Sequence, residues 1–248
     1  MEDKTPASVA STLSWNTSLS RTYVSSLSRA IFSARHSQSL HSLDDVLKVI
    51  RALGLPRYRY ENLSREEVLG EGETYLVERC VAARDGRVFA VKHLKVRDGK
   101  VFDKAFHRRL RSVVLDLQIM RHPPLQAHPN IISALGYGWR TEGNILMPYV
   151  LVECAELGTL REHIKRKPPL EPVHIAILLG DVVSGLAALH ECGIVHGDVK
   201  LDNVLVFPAP NRPPKALAKL ADFGHALVLN NGGKDHDGET LKYSGTWL

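Results

Sequence analysis

Four short stretches of this chain place charged and polar groups where they could work on a phosphate ester. His196-Gly197-Asp198-Val199-Lys200-Leu201-Asp202-Asn203 sets an acid, a cation and an amide in one loop. An aspartate there can accept a hydroxyl proton, and an asparagine can hold a hard cation through oxygen. Ala221-Asp222-Phe223-Gly224 adds an acid directly after a short apolar run. Phe89-Ala90-Val91-Lys92 puts a lysine in the middle of an apolar strand, where a buried ammonium needs an anionic partner. Gly70-Glu71-Gly72-Glu73-Thr74-Tyr75-Leu76-Val77 carries two glycines in a tight strand-turn-strand, where backbone N–H groups can approach phosphate oxygens with no Cβ in the way. Taken singly, each has an ordinary structural reading: a hairpin turn, an edge lysine whose head reaches water, a surface Asp-Phe-Gly.

The elements that must position these groups follow from periodicity. Extended segments are expected at Val68–Gly70, Thr74–Ala83 and Val88–Val96, with Asp85-Gly86 as a hairpin turn and Asp98-Gly99 closing the third. Lys92 then lies across one hairpin from Val77, beneath the glycine turn. Phe102, Phe106, Leu110, Val113, Leu117 and Met120 step by three and four, which predicts an amphipathic helix. Short apolar runs follow at Ile131–Tyr137 and Tyr149–Val152. After them come Leu157–Lys165, a longer helix over Val173–Cys192, and short strands at Val204–Val206 and Leu217–Leu220 around the loop Pro208–Pro214. A strand-rich half before a helix-rich half, without internal repeat, is an α+β layout.

In this order and spacing the four stretches resemble the protein kinase set of glycine loop, strand-three lysine, catalytic loop and Asp-Phe-Gly. Lys200, two residues after Asp198, is similar to the Ser/Thr type. Leu151-Val152-Glu153-Cys154-Ala155 resembles the hinge of that family, and Gly245-Thr246-Trp247 the approach to its A-P-E segment. The resemblance implies ATP and Mg2+ as cofactors and a protein substrate. It implies that Gly70, Gly72, Val77, Ala90, Lys92, Asp116, Glu153 and Ala155 form the nucleotide site, with backbone groups of Glu153 and Ala155 on adenine and Lys92 on the α and β phosphates. Asp198 would orient or deprotonate the acceptor hydroxyl, Lys200 would stabilise charge on the transferring group, and Asn203 and Asp222 would bind magnesium.

The chain also departs from that pattern. Tyr75 stands where the third glycine belongs, and Glu71 and Glu73 bring negative charge near the phosphates. The resemblance implies a helix glutamate paired with Lys92, but no glutamate lies between Glu78 and Glu142, so only aspartates are available for that role. Asp116, on the edge of the apolar face, is the better placed; one methylene shorter, it requires a closer helix or a bridging water. Asp103 suits the helix N-terminus instead. The loop reads His-Gly-Asp, without the arginine that in the family couples to a phosphorylated activation segment; Thr240, Tyr243, Ser244 and Thr246 are the hydroxyls available there. No A-P-E follows Leu248, and the resulting expectation is an incomplete kinase domain. Its helix 173–192 would present Ile177, Leu178, Val182 and Leu189 to solvent or to a partner covering the lower lobe.

Length and composition bound these readings. With 248 residues, 44% hydrophobic, 24% charged and a net charge of +5, the chain has the mixture of a globular protein, which excludes a collagen, an acidic disordered tail and a bare coiled coil. No uninterrupted apolar run approaches the roughly 18 residues of a membrane helix, and no membrane partner is expected. Cys80, Cys154 and Cys192 form no CxxC pair, which argues against a disulfide framework or zinc site and for a reducing compartment. Residues 8–42 are rich in Ser, carry Arg21, Arg29 and Arg35 and no acid, and repeat Leu13, Leu19, Tyr23, Leu27 and Ile31 as a helical stripe. That resembles a mitochondrial leader in composition, but the opening Met1-Glu2-Asp3-Lys4 favours a polar extension and a cytoplasmic or nuclear location. Ser42-Leu43-Asp44-Asp45 begins a second helix with a capping box, with Val46, Leu47, Ile50 and Leu53 as its apolar face. The division expected is residues 1–62 as extension, 63–155 as N-lobe and 156–248 as partial C-lobe. Rival readings are a pseudokinase or regulatory fragment, and a small-molecule phosphotransferase that shares His-Gly-Asp with Asn five residues on. Arg108-Arg109-Arg111 and Lys165-Arg166-Lys167 read as solvated helix faces, so no nucleic-acid partner is expected.

Overall fold

The computed structural model describes residues 43–72, 74–95, 104–142, 145–166 and 168–229. The stripe at 13–31, Ser42, Glu73, Asp103, Lys167 and the hydroxyl residues from 240 onward lie outside these ranges. Helix α1 (Leu43–Ala52) forms on the expected apolar face and buries Val46, Val49 and Ile50. It ends where Gly54, in the left-handed region at φ 66°, donates its N–H to the Arg51 carbonyl at 3.1 Å. The chain then runs extended against a strand that comes much later. Tyr58 N–H donates to the Tyr137 carbonyl at 2.7 Å, and Tyr137 N–H to the Pro56 carbonyl at 3.0 Å.

That later strand belongs to a five-stranded antiparallel sheet in the order β1-β2-β3-β5-β4. The strands are β1 (Leu63–Glu71), β2 (Tyr75–Ala82), β3 (Val88–Leu94), β4 (Ala134–Glu142) and β5 (Ile145–Glu153). β1 is longer than Val68–Gly70 suggested. As an edge strand with only Leu63 buried, it has no apolar alternation to mark it. β4 begins later than the apolar run 131–137, because Ile131 and Ile132 pair with Leu220 instead, Ile132 N–H donating to the Leu220 carbonyl at 3.0 Å. It runs on through polar Arg140, Thr141 and Glu142. A Cβ on Gly138 would collide with the Tyr149 hydroxyl and the Tyr58 carbonyl, which themselves hydrogen-bond at 2.9 Å. Helix α2 (Lys104–Met120) lies behind the sheet and carries Phe106, Leu110, Val113, Leu117 and Met120 into the core as its spacing predicted.

The second half holds α3 (Leu160–Lys165), α4 (Pro172–Glu191) and two small antiparallel pairs, β6 (Ile194–Val195) with β9 (Leu227–Val228) and β7 (Val204–Pro208) with β8 (Ala216–Leu220). Of the Leu157–Lys165 segment only the last six residues are helical, because Thr159 caps them: its hydroxyl accepts from Glu162 N–H, and the Glu162 carboxylate accepts from Thr159 N–H at 2.8 Å. Helix α4 corrects one expectation. Leu178, Val182 and Leu189 are buried rather than exposed and Ile177 is half-buried; the large apolar side chains that α4 shows to solvent are Val173, Leu179 and Val183. By length and a mean hydropathy of 1.8 alone, α4 would also be long and apolar enough to cross a membrane, although His174, Gly180 and Asp181 interrupt its apolar run. Within α4, buried Asp181 accepts from Ala218 N–H at 2.9 Å and from Arg212 Nη1 at 3.0 Å, fixing β8 to the helix.

Residues 43–58 therefore belong structurally to the sheet half: Val46, Ile50 and Leu53 share one buried cluster with Leu110, Val113 and Leu117 of α2. Deleting methyl groups from fully buried Ile50 should be expensive. Ile50→Ala is expected to lower the unfolding free energy by about 2–5 kcal/mol, whereas Val183→Ala, on the exposed face of α4, should stay within about 0.5 kcal/mol. Urea denaturation of the two variants checks the assignment, and equal effects would contradict it.

Candidate active site

The four chemical stretches converge on a cleft of about 860 Å³ between the sheet and the second half. Gly70, Gly72, Val77, Ala90 and Lys92 line it from the sheet, Glu153 and Ala155 from the connection between halves, and Asp198, Lys200, Asn203 and Asp222 from the second half. Asp116 is the sequence-selected residue that does not line the cavity; it stands behind Lys92. The glycine turn is closed by Gly72 N–H, which donates to the Tyr75 carbonyl at 2.9 Å. Glu71 turns away from the role of a phosphate repellent, since Lys95 Nζ binds its carboxylate at 2.5 Å and the Gly72 carbonyl at 3.1 Å.

The buried charges are held by one carboxylate. Register places Lys92 opposite Val77, so the lysine descends from the middle of β3 into the cleft. Its Nζ donates to Asp116 Oδ2 at 2.5 Å, a direct contact, so α2 comes close enough to make up the missing methylene without a bridging water. Asp116 Oδ1 accepts from Phe223 N–H at 3.0 Å. Asp116 is 1% exposed, and both its oxygens have donors, the condition under which a buried carboxylate is tolerable. Burial by itself would lower the Lys92 pKa, but the Asp116 and Asp222 carboxylates and the Asp116 hydrogen bond outweigh it and hold the ammonium above its ordinary value. Lys92 thus stays charged.

Across the cleft, the loop after β6 organises a second cluster. Asp198 Oδ2 accepts from Lys200 Nζ at 2.8 Å and from Asn203 Nδ2 at 3.0 Å, and Asn203 Nδ2 also reaches the Asp198 carbonyl at 2.9 Å. With its amide nitrogen committed to Asp198, Asn203 has its amide oxygen to offer a cation. His196, 1% exposed, sits under the loop: Asp198 N–H donates to its Nδ1 at 3.4 Å, and its Nε2 lies 3.1 Å from the Ala221 carbonyl. That pattern is the neutral imidazole with its proton on Nε2. Gly197 explains the missing arginine of His-Gly-Asp. Its φ is 79°, and a Cβ there would run into the His225 carbonyl. Asp222 is itself left-handed at φ 62°, a conformation aspartate tolerates and functional sites retain.

Three contributors were not selected from sequence. Lys219 Nζ donates to Glu153 Oε1 at 2.6 Å, while Ser133 N–H donates to Glu153 Oε2 at 2.9 Å. The Glu153 side chain thereby ties the connection between halves to β8, the strand that delivers Asp222. A lysine inside the apolar strand Leu217–Leu220 was the available signal, the same one that marked Lys92. Asn130 is the second, with Nδ2 on the Ala218 carbonyl at 2.9 Å. The third is Tyr75, marked in the sequence only as the replacement of the third glycine and not as a partner of Lys92, whose Nζ lies 4.2 Å from the ring centroid. Of the basic clusters, Arg109 is buried, while Arg108, Arg111, Lys165 and Arg166 are exposed.

A sheet over a helical half, with a paired lysine above and an aspartate–lysine–asparagine loop below one cleft, is the architecture of a phosphotransferase that holds a nucleotide between two lobes. The family model "Protein kinase domain" matches residues 63–247, and the chain belongs to that family. It is 28% identical over 171 residues to human ribosomal protein S6 kinase alpha-4, covering 68% of this chain and 20% of that protein. It is 38% identical over 175 residues to a protein of Arabidopsis thaliana described as "Probable LRR receptor-like serine/threonine-protein kinase", covering 69% and 14% respectively. MAP kinase kinase kinase SSK2 of Saccharomyces cerevisiae shares 31% over 170 residues, covering 68% and 10%. The chain spans a fifth or less of the length of these three relatives.

Burial keeps the His196 pKa below its ordinary value, so the folded imidazole stays neutral at a pH where an unfolded histidine, near 6.5, takes a proton. Burial acts the same way on His128 and His163, and burial with the charges of Arg140 and Arg65 pushes His93 down to about 4. In the window from about 6.5 down to those depressed values the unfolded chain binds more protons, so stability is lost as pH falls through it. The urea midpoint is expected to drop between about pH 7.5 and 5.5, less steeply in His196→Gln. A profile flat over this range would contradict the neutral buried imidazoles.

Proposed function

We propose that this chain transfers the γ-phosphoryl group of ATP to serine or threonine hydroxyls of protein substrates, with Mg2+ as its metal. The observation that carries the reading is that one carboxylate, Asp116, ties Lys92 of the upper sheet to the backbone beside Asp222, opposite the Asp198–Lys200–Asn203 cluster. Asp116 thus fixes the upper lysine and the backbone beside Asp222 together, while the Asp198 cluster facing them is held by its own bonds. Phosphoryl transfer requires little covalent chemistry of the protein, so such positioning of fixed charges is the form its catalysis takes.

Each residue has a role its contacts support. Backbone groups of Glu153 and Ala155 would receive adenine, in a slot lined by Val77, Ala90, Val152 and Leu205. Lys92 would hold the α and β phosphates. The Asp198 carboxylate would orient the acceptor hydroxyl and take its proton, while Lys200, already bonded to Asp198, would balance charge on the transferring group. Asn203 and Asp222 would hold Mg2+ through oxygen. The donor set fits: one amide oxygen and one carboxylate suit a hard cation that takes its remaining ligands from phosphates and water. Among the described residues no group of three or more His, Cys, Asp or Glu could hold a metal alone. When bound, the metal would neutralise phosphate charge.

Two variants test the assignment. Mg-ATP should raise the melting temperature of the wild type, and Lys92→Met should abolish that shift. Asp198→Asn should retain the shift and lower phosphate transfer to a general protein substrate by about 10²–10⁴-fold. No shift in the wild type would overturn nucleotide binding. A shift without any transfer by the wild type would make the chain a nucleotide-binding pseudokinase.

A further inference from the structure

Tyr75 occupies the position at which the glycine turn should be open. Its backbone is fixed from both sides, as Gly72 N–H donates to its carbonyl and Lys95 N–H to the carbonyl of Thr74, each at 2.9 Å. Register pairs it with Leu94, two residues along from the Val77–Lys92 pair, so Tyr75 and Val77 point to the same, cleft-facing side of β2. The side chain descends from the turn into the cleft and is buried, with 8% of the residue exposed. There the Lys92 ammonium lies 4.2 Å from the ring centroid, a cation–π contact. The hydroxyl interacts with the Asp116 carboxylate, the same group that binds Lys92.

We propose that Tyr75 is an intrasteric gate on the phosphate subsite, which excludes the polyphosphate of a nucleotide until its ring leaves Lys92, while the base-binding slot stays open. This rests on the nucleotide reading of the cleft and deepens it. A phosphate oxygen must come within about 2.7–2.9 Å of the ammonium, approaching from under the glycine turn, and that is the side the ring covers. The adenine slot is framed by Ala90 and Val152 from the sheet and Leu205 from the second half, whereas the charge that the ring covers is that of Lys92. The pairing of a shortened acid with a tyrosine is also coherent. Asp116 bonds Lys92 directly, and the Tyr75 ring and hydroxyl lie against the same pair.

The gate makes a prediction that separates nucleosides from nucleotides. If the ring-out state is about 1–10% populated, the apparent affinity for a ligand that requires it falls by the same fraction, and a ligand that does not require it is unaffected. Calorimetric titrations with Mg-ATP and with adenosine are compared for the wild type, Tyr75→Gly and Tyr75→Phe. Tyr75→Gly should bind Mg-ATP about ten- to a hundredfold more tightly and adenosine unchanged. Tyr75→Phe, which keeps the ring over Lys92 but loses the hydroxyl, should fall between. Adenosine bound equally by all three proteins, with Mg-ATP affinity unchanged or weaker in Tyr75→Gly, would overturn the gate and leave the nucleotide site standing. Failure of every protein to bind either ligand would overturn the nucleotide reading and the gate with it.

Discussion

The position of one carboxylate, Asp116, sets the terms for the rest of the molecule. It is buried with a lysine, and a buried ion pair is tolerable only with good geometry and with its remaining acceptors filled. Both requirements are met by distant parts of the chain: Lys92 from β3 on one oxygen, and the N–H of Phe223 on the other. Because the side chain is an aspartate, there is little slack between α2 and the sheet. Whatever sets the height of α2 therefore also sets the lysine, the backbone beside Asp222 and the shape of the cleft.

What sets that height is the segment before the kinase-family match, which begins at residue 63. Helix α1 shares its buried face with α2, Arg121 donates to the Leu53 carbonyl at 3.5 Å, and residues 56–58 extend the sheet beside β4. The Arg57 guanidinium stacks 3.6 Å over the Trp139 ring, and the carbonyl of Tyr58 receives the Tyr149 hydroxyl. These contacts are long-range in sequence and dense in apolar area. They clamp the back of α2 and the outer strands of the sheet at once.

The lower cluster depends much less on distant partners. Asp198, Lys200 and Asn203 bond one another within six residues, and the neutral His196 fixes the loop from beneath. The tight approach of Gly197 to His225 keeps the loop against the segment that follows Asp222. The two clusters meet through Asp116 and through the Glu153–Lys219 pair, so the upper lysine and lower aspartates share a scaffold without touching.

Much of this was legible in the residues themselves. The α+β layout, helices α1, α2 and α4 and strands β2 and β3 follow from local periodicity, because short-range sterics and burial of an apolar face act within one element. The convergence of Lys92, Asp198, Lys200, Asn203 and Asp222 on one cleft was implied by the resemblance of their motifs to the kinase set. Asp116 could be selected by elimination on a helical wheel. Other features could not be read locally. β1 is an edge strand with almost no burial to pattern it, and the outward face of α4 depends on which side β8 covers. The docking of residues 43–58 on α2 and β4, the Lys219–Glu153 tie and the descent of Tyr75 onto Lys92 all join residues remote in sequence. By itself the sequence determined which groups could do the chemistry. Only the tertiary structure decided their distances, and with them that a tyrosine stands over the lysine, because burial and close packing are properties of the assembled chain.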